Sequence, residues 1–134
     1  MRWIPVAIKS VLDQDDPFMQ TCCHCGDTGK IYLHMPFIYC GKHLTQVWSV
    51  VPLCRKCRRS KPIAGDFSKL MVLLRMTDLL SERELDKIKK IPGMYNWESL
   101  YDYLFMNYCD LYQKQAQNML KSNEHLKKLL TISE

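Results

Sequence analysis

Two Cys-x-x-Cys pairs, Cys22/Cys25 and Cys54/Cys57, constrain this chain more than any other feature. A Cys-x-x-Cys turn brings two sulfurs to one point, and two such turns complete the tetrahedral shell of a zinc ion at about 2.3 Å from each sulfur. Gly26 follows the first pair and an arginine-rich run follows the second. The 28 residues between Cys25 and Cys54 suffice for a β-hairpin to run out and back beneath the metal. The expected order is therefore knuckle, hairpin, then a helix carrying the second pair, a treble clef built on a structural Zn²⁺. The alternative is that these cysteines are disulfides or ordinary buried thiols. An odd total of seven cysteines, no secretory signal at the N-terminus and the paired spacing favour reduced thiols in a cytoplasmic compartment.

The 134 residues allow one domain, or a small metal module with a helical extension. The division drawn from the sequence is a Cys₄ zinc module over residues 1–65 and a helical domain over 66–134, an α+β protein. Charged residues interrupt every apolar run before the ~18 residues a membrane span needs. A soluble protein with no membrane partner is expected.

Trp3 to Leu12 reads as a short amphipathic segment, with Ile4, Ala7, Ile8, Val11 and Leu12 on one face. Lys30 to His34 alternates as a half-buried strand does, and Val47 to Leu53, richer in apolar residues, predicts a strand covered on both faces. Lys61-Pro62 and Gly65 mark a boundary. Phe67 to Leu80 is apolar on more than one face and predicts a buried helix. Ser81 and Glu84 form a capping-box pair ahead of Leu85, Ile88 and Ile91, and Pro92-Gly93 ends that helix. Asn96 is the expected cap of one long helix with Trp97, Leu100, Tyr101, Leu104, Phe105, Tyr108, Leu111, Tyr112, Ala116, Met119 and Leu120 on its apolar face. A last short helix is expected around Glu124 to Leu130.

The order "TCCHCG", "IYLHMP" and "SVVPLCRKCRRSK" resembles the HNH endonucleases over about residues 3 to 65. The resemblance implies a ββα-metal fold in which His34 is the general base. It also places Leu33, Ser49 and Arg58 where that family carries a metal ligand, the asparagine that orients the base and a second metal ligand. Leu33 and Arg58 cannot bind a hard cation, and phosphodiester cleavage of this type needs one. The resemblance thus implies a retained zinc framework and lost chemistry.

Several residues keep two readings. Arg55, Lys56, Arg58, Arg59 and Lys61 place five cations in seven positions, either to neutralise nucleic-acid phosphates, duplex DNA foremost, or to offset the −2 charge of a Zn(Cys)₄ centre. Cys40 and His43, with His24, Asp27 and His34, offer an unusual second metal site; otherwise Cys40 packs and His43 is solvated. Cys23 is a spare knuckle residue and Cys109 a buried inert thiol. The aromatic stripe over 97–120 is either core or a surface for a protein partner or a second copy.

Three functions follow. The first is a zinc-stabilised nucleic-acid-binding or regulatory protein derived from an HNH-like module and catalytically inactive. The second is an active metal-dependent DNA endonuclease using His34. The third is a protein-binding inhibitor or adaptor working through the helical half.

Overall fold

A computed structural model describes residues 17–39, 42–43, 47–91 and 93–132. The segment Trp3 to Leu12 lies outside the described residues, and so does the candidate pairing of Cys40 with the His43 side chain. The fold is α+β. Strand β1 (Ile31–His34) pairs antiparallel with the strand that delivers the second cysteine pair, here numbered β4 (Val51–Cys54), in the register Ile31↔Cys54 to His34↔Val51. Between them, β2 (Ile38–Tyr39) and β3 (Lys42–His43) form a separate two-residue ladder.

The expected strand from Val47 is shorter than its apolar run. Val47–Ser49 is a 3-10 turn and pairing begins only at Val51. Trp48 enters the core from this turn and Val50 from the residue that links it to β4, so neither needs strand geometry to be buried. All four residues of β4 are buried, as a strand covered on both faces requires. Pro52 has no N–H to donate to a ladder, and among the described residues β4 is paired on one side only.

Helix α1 (Arg55–Arg58) is a single turn. A helical run then resumes at Lys61 and passes through a π-helical segment, Ile63–Phe67, into α2 (Ser68–Leu79). Pro62 falls in the first turn, where its missing N–H costs nothing. A π segment disturbs the regular carbonyl pairing. Two side chains answer this, as Ser68 Oγ donates to the Ile63 carbonyl and His34 Nε2 to the Ala64 carbonyl, each at 2.7 Å. Residue 65, the division drawn from the sequence, lies inside this segment, and one hydrophobic core crosses it. Met19, Leu53, Phe67, Met71, Leu104 and Met119 all belong to that core.

Helix α2 is buried from Leu70 to Met76, on every face, as its composition predicts. Ser81 and Glu84 make both bonds of the capping box that starts α3 (Glu82–Ile88). Asn96, by contrast, makes no side-chain cap bond to α4 (Trp97–Tyr108).

The single helix expected over 97–120 is two helices. Residues 109–112 form a turn, and α5 runs from Gln113 to Ile132, absorbing the short helix expected at Glu124. The break is silent in the sequence for a physical reason. Tyr112 N–H still donates to the Tyr108 carbonyl and Ala116 N–H to the Tyr112 carbonyl, so the apolar period continues in phase across it. Part of the expected stripe is not buried, since Phe105, Leu111 and Leu120 face solvent and Cys109 is only partly buried. Polar bonds help hold α5 in place. The buried Arg75 donates to Ser122 Oγ at 3.1 Å, and Asp78 accepts from Asn123 and Lys127. Among the described residues, no helix is long and apolar enough to cross a membrane.

Candidate metal centre

The first knuckle is closed by its own backbone. Gly26 N–H donates to the Cys22 carbonyl and Cys22 N–H to the Asp27 carbonyl, both at 2.9 Å. Gly26 sits at φ +81°, a left-handed conformation that a side chain strains. Cys23 N–H donates to the Pro52 carbonyl at 2.9 Å, which ties the knuckle to β4 and hence to the second pair. At the other pair, Cys54 is the N-cap of α1, and its sulfur accepts the Cys57 N–H at 3.5 Å. Placing Cys54 at the cap and Cys57 three residues on puts both sulfurs on one side of a single helical turn.

The structure brings Cys22, Cys25, Cys54 and Cys57 together, with all four sulfurs within 4.8 Å of one another. Cys25 and Cys54 are 3.7 Å apart. A tetrahedron with metal–sulfur bonds near 2.3 Å has sulfur–sulfur edges of about 3.8 Å, so the four cysteines are close enough to hold a metal ion and suit zinc. Three are buried and Cys25 is exposed.

The electrostatics of the sulfurs fit a cation at their centre. Burial raises the Cys22 thiol, but hydrogen bonds from the backbone at Cys25, Cys54 and His24 outweigh it and bring the group down to about 7. Cys57 is pushed up by burial and then by crowding from Cys54, Cys22 and Cys25. Zinc binds thiolates and so competes with protons for these sulfurs, and a bound cation would favour deprotonation of the set. Cys23 is held in its thiol form by burial and by the neighbouring Cys22 charge, in keeping with a knuckle residue that is not a ligand.

His24, within the first knuckle, belongs to this centre in a way the sequence does not reveal. Its Nδ1 lies 3.6 Å from Cys57 Sγ. Its ring meets Phe67 edge-on at 5.0 Å and Tyr112 at 5.9 Å between centroids, and Gln115 Nε2 donates to its carbonyl at 3.1 Å. Burial lowers its basicity, which keeps the ring neutral and able to donate one N–H. A ring that donates toward a ligating sulfur fixes that ligand in place.

The basic run is exposed from Arg55 to Lys61 apart from Cys57 and Ser60. Its members do not act alike. Arg55, Lys56 and Arg59 line an open cleft of about 640 Å³ together with Cys54, Asp27 and Lys30. Arg58 turns instead onto the ring of Tyr32, with the guanidinium carbon 3.9 Å from the centroid, and Lys30 approaches the same ring at 5.3 Å. Lys30 is distant from the run in sequence. The β1–β4 register places Ile31 opposite Cys54 and so carries Lys30 to the start of α1.

His34 stands at the end of β1, with Nε2 bonded to the Ala64 carbonyl. A carbonyl only accepts, so Nε2 carries the proton. Ser49 is fully buried. Among the described residues, the four cysteines are the only group of three or more His, Cys, Asp or Glu side chains positioned to share a metal. Compared with protein-family models, curated proteins and solved structures, the chain matches none.

Proposed function

We propose that this chain is a zinc-stabilised module that binds nucleic acid through the cleft beside its metal centre, and that it descends from an HNH-like nuclease without keeping the chemistry. The observation that carries the reading is the cleft itself. Lys30, Arg55, Lys56 and Arg59 converge on one open surface next to the thiolate cluster, with Asp27 the one acid among its described lining residues. Asp27 Oδ1 is already engaged by the Gly29 N–H at 3.0 Å. A zinc tetrathiolate carries a charge of −2, so part of the cationic charge offsets the centre. The remainder faces outward, where phosphates are bound by neutralisation and counterion release.

The knuckle, the β1–β4 pair and the turn of α1 occur in the order the HNH resemblance implies. The bond from His34 to Ala64 supports a structural task for that histidine, holding β1 against the π-helical bend. Zinc, when bound, supplies folding energy here and no catalytic step. The protein's residues do the rest: the cysteines hold the two ends of the module together, and the cations of the cleft meet the phosphates.

The test is fluorescence anisotropy of a labelled duplex DNA with the zinc-loaded chain at low and moderate salt, with a magnesium-dependent nicking assay as control. Salt-sensitive binding that falls when Arg55, Lys56 and Arg59 are replaced by alanine, without nicking, is expected. Binding unchanged by that triple replacement overturns the cleft, and nicking that disappears in His34→Ala restores the nuclease reading.

A further inference from the structure

The cleft leaves one surface of the molecule unexplained. On the outer side of α4 and the turn after it, Met106 is 85% exposed, Leu111 68% and Tyr103 56%. Scattered exposed apolar residues are ordinary, but Tyr103 and Met106 are three residues apart and so share one face of α4, with Leu111 exposed in the turn beyond it, and Tyr and Met are residue types that interfaces favour. Asp102 and Asp110 flank Met106 at spacings of four residues, which puts all three on one line along the chain's surface. Residues 95–112 contain Glu98, Asp102 and Asp110 and no lysine or arginine, a charge of −3 in a chain whose total is +5. Glu98 is met by Lys89 at 2.7 Å. The salt bridges among the described residues involve neither Asp102 nor Asp110.

We infer that this face docks a basic amphipathic helix of another protein, which lies along α4 with its apolar stripe on Tyr103 and Met106 and its lysines or arginines against Asp102 and Asp110. Charge decides the occupant. A second copy joined through the same face would set the two aspartate pairs against one another, and like charges across an interface are costly. Nucleic acid is repelled by the same carboxylates. A cationic partner gains at both positions and still has an apolar centre to bury. The protein then carries surfaces of opposite sign, cationic at the cleft and acidic-aromatic on α4, and joins a basic protein to whatever the cleft holds.

The probe is a labelled 18-residue leucine/lysine peptide with helical amphipathic spacing, titrated into the zinc-loaded full chain, with a leucine/glutamate peptide of the same apolar pattern as control. The lysine peptide is expected to bind, and the glutamate peptide to bind at least about tenfold more weakly. The double variant Asp102→Lys/Asp110→Lys is expected to reverse that preference, and Met106→Ser to weaken the lysine peptide about tenfold. These side chains are exposed, so zinc content and circular dichroism are expected to stay unchanged, which keeps the reading independent of folding. No binding, equal binding of both peptides, binding indifferent to the charge reversal, or a wild-type dimer in sedimentation that Met106→Ser dissolves would each overturn the proposal. Duplex-DNA binding measured on the same variants is expected to be retained, so a failure of the cleft and a failure of this face are read separately.

Discussion

His24 Nδ1 lies 3.6 Å from Cys57 Sγ, and the same histidine meets Tyr112, in the turn before α5, through its ring and Gln115 of α5 through its carbonyl. The metal centre and the helical half are therefore joined through one knuckle residue. The ring lies against a sulfur of the four-cysteine cluster, and its carbonyl accepts a bond that anchors the start of α5. Groups that orient metal ligands typically contribute 10- to 100-fold to metal affinity. His24→Ala is expected to weaken zinc binding by at least about tenfold, as read by competition with a chelator of known affinity. Gln115→Ala leaves the ring in place and is expected to change zinc affinity much less.

Because one core runs through both halves, loss of metal is expected to reach beyond the knuckles. Structural zinc in small modules supplies on the order of 10 kcal/mol of apparent binding free energy. Chelation, or Cys54→Ser, is expected to lower the melting temperature of the whole chain and to reduce protection of α2 amides in hydrogen exchange. Acid acts in the same direction, because protons compete with zinc for thiolates and the metal is released as pH falls. Unchanged α2 protection in the chelated chain would contradict the shared core.

Phe67 is fully buried and packs its ring against both His24 and Tyr112. Phe67→Ala removes a large core side chain at the junction and is expected to cost about 3–5 kcal/mol in urea unfolding.

The two candidate helix caps differ in the structure and should differ in stability. Ser81 accepts the Glu84 N–H, so Ser81→Ala is expected to cost about 1 kcal/mol. Asn96 makes no such bond, and Asn96→Ala is expected to stay within about 0.5 kcal/mol of the parent. Paired urea titrations read both.

Within the basic run, position predicts effect. Each phosphate contact adds roughly 0.9 to the slope of log affinity against log salt for duplex DNA. Single alanine replacements of Arg55, Lys56 or Arg59 are each expected to lower the slope by up to about that amount. Arg58 is committed to Tyr32, so Arg58→Ala is expected to change the slope less. An Arg58→Ala effect equal to that of Arg59→Ala would place the phosphates elsewhere.

What was legible in the sequence was what local chemistry determines. Cys-x-x-Cys spacing foretold the cysteine cluster because the ligands' convergence is set within four residues. The capping box and the all-round apolar α2 were legible for the same reason. The helix break at 109–112 was not, since neither glycine nor proline marks it and the apolar period stays in phase. The true extent of β4 was hidden by Trp48, buried from a 3-10 turn, and Val50, buried from the link that follows it. Lys30 and His24 join the site only through register and tertiary packing. The five cations from Arg55 to Lys61 look alike in sequence, whereas the fold brings Arg55, Lys56 and Arg59 to the cleft, turns Arg58 onto Tyr32 and leaves Lys61 off the cleft lining.

The most direct test of the central claim is the metal content of the reduced, purified chain by native mass spectrometry, beside Cys22→Ser and Cys54→Ser. The account predicts one zinc per chain, greatly reduced in each variant, with all four thiols protected from alkylation until the metal is removed. A chain that carries no zinc when supplied with it, or one that keeps its zinc with both Cys22 and Cys54 replaced, would contradict it.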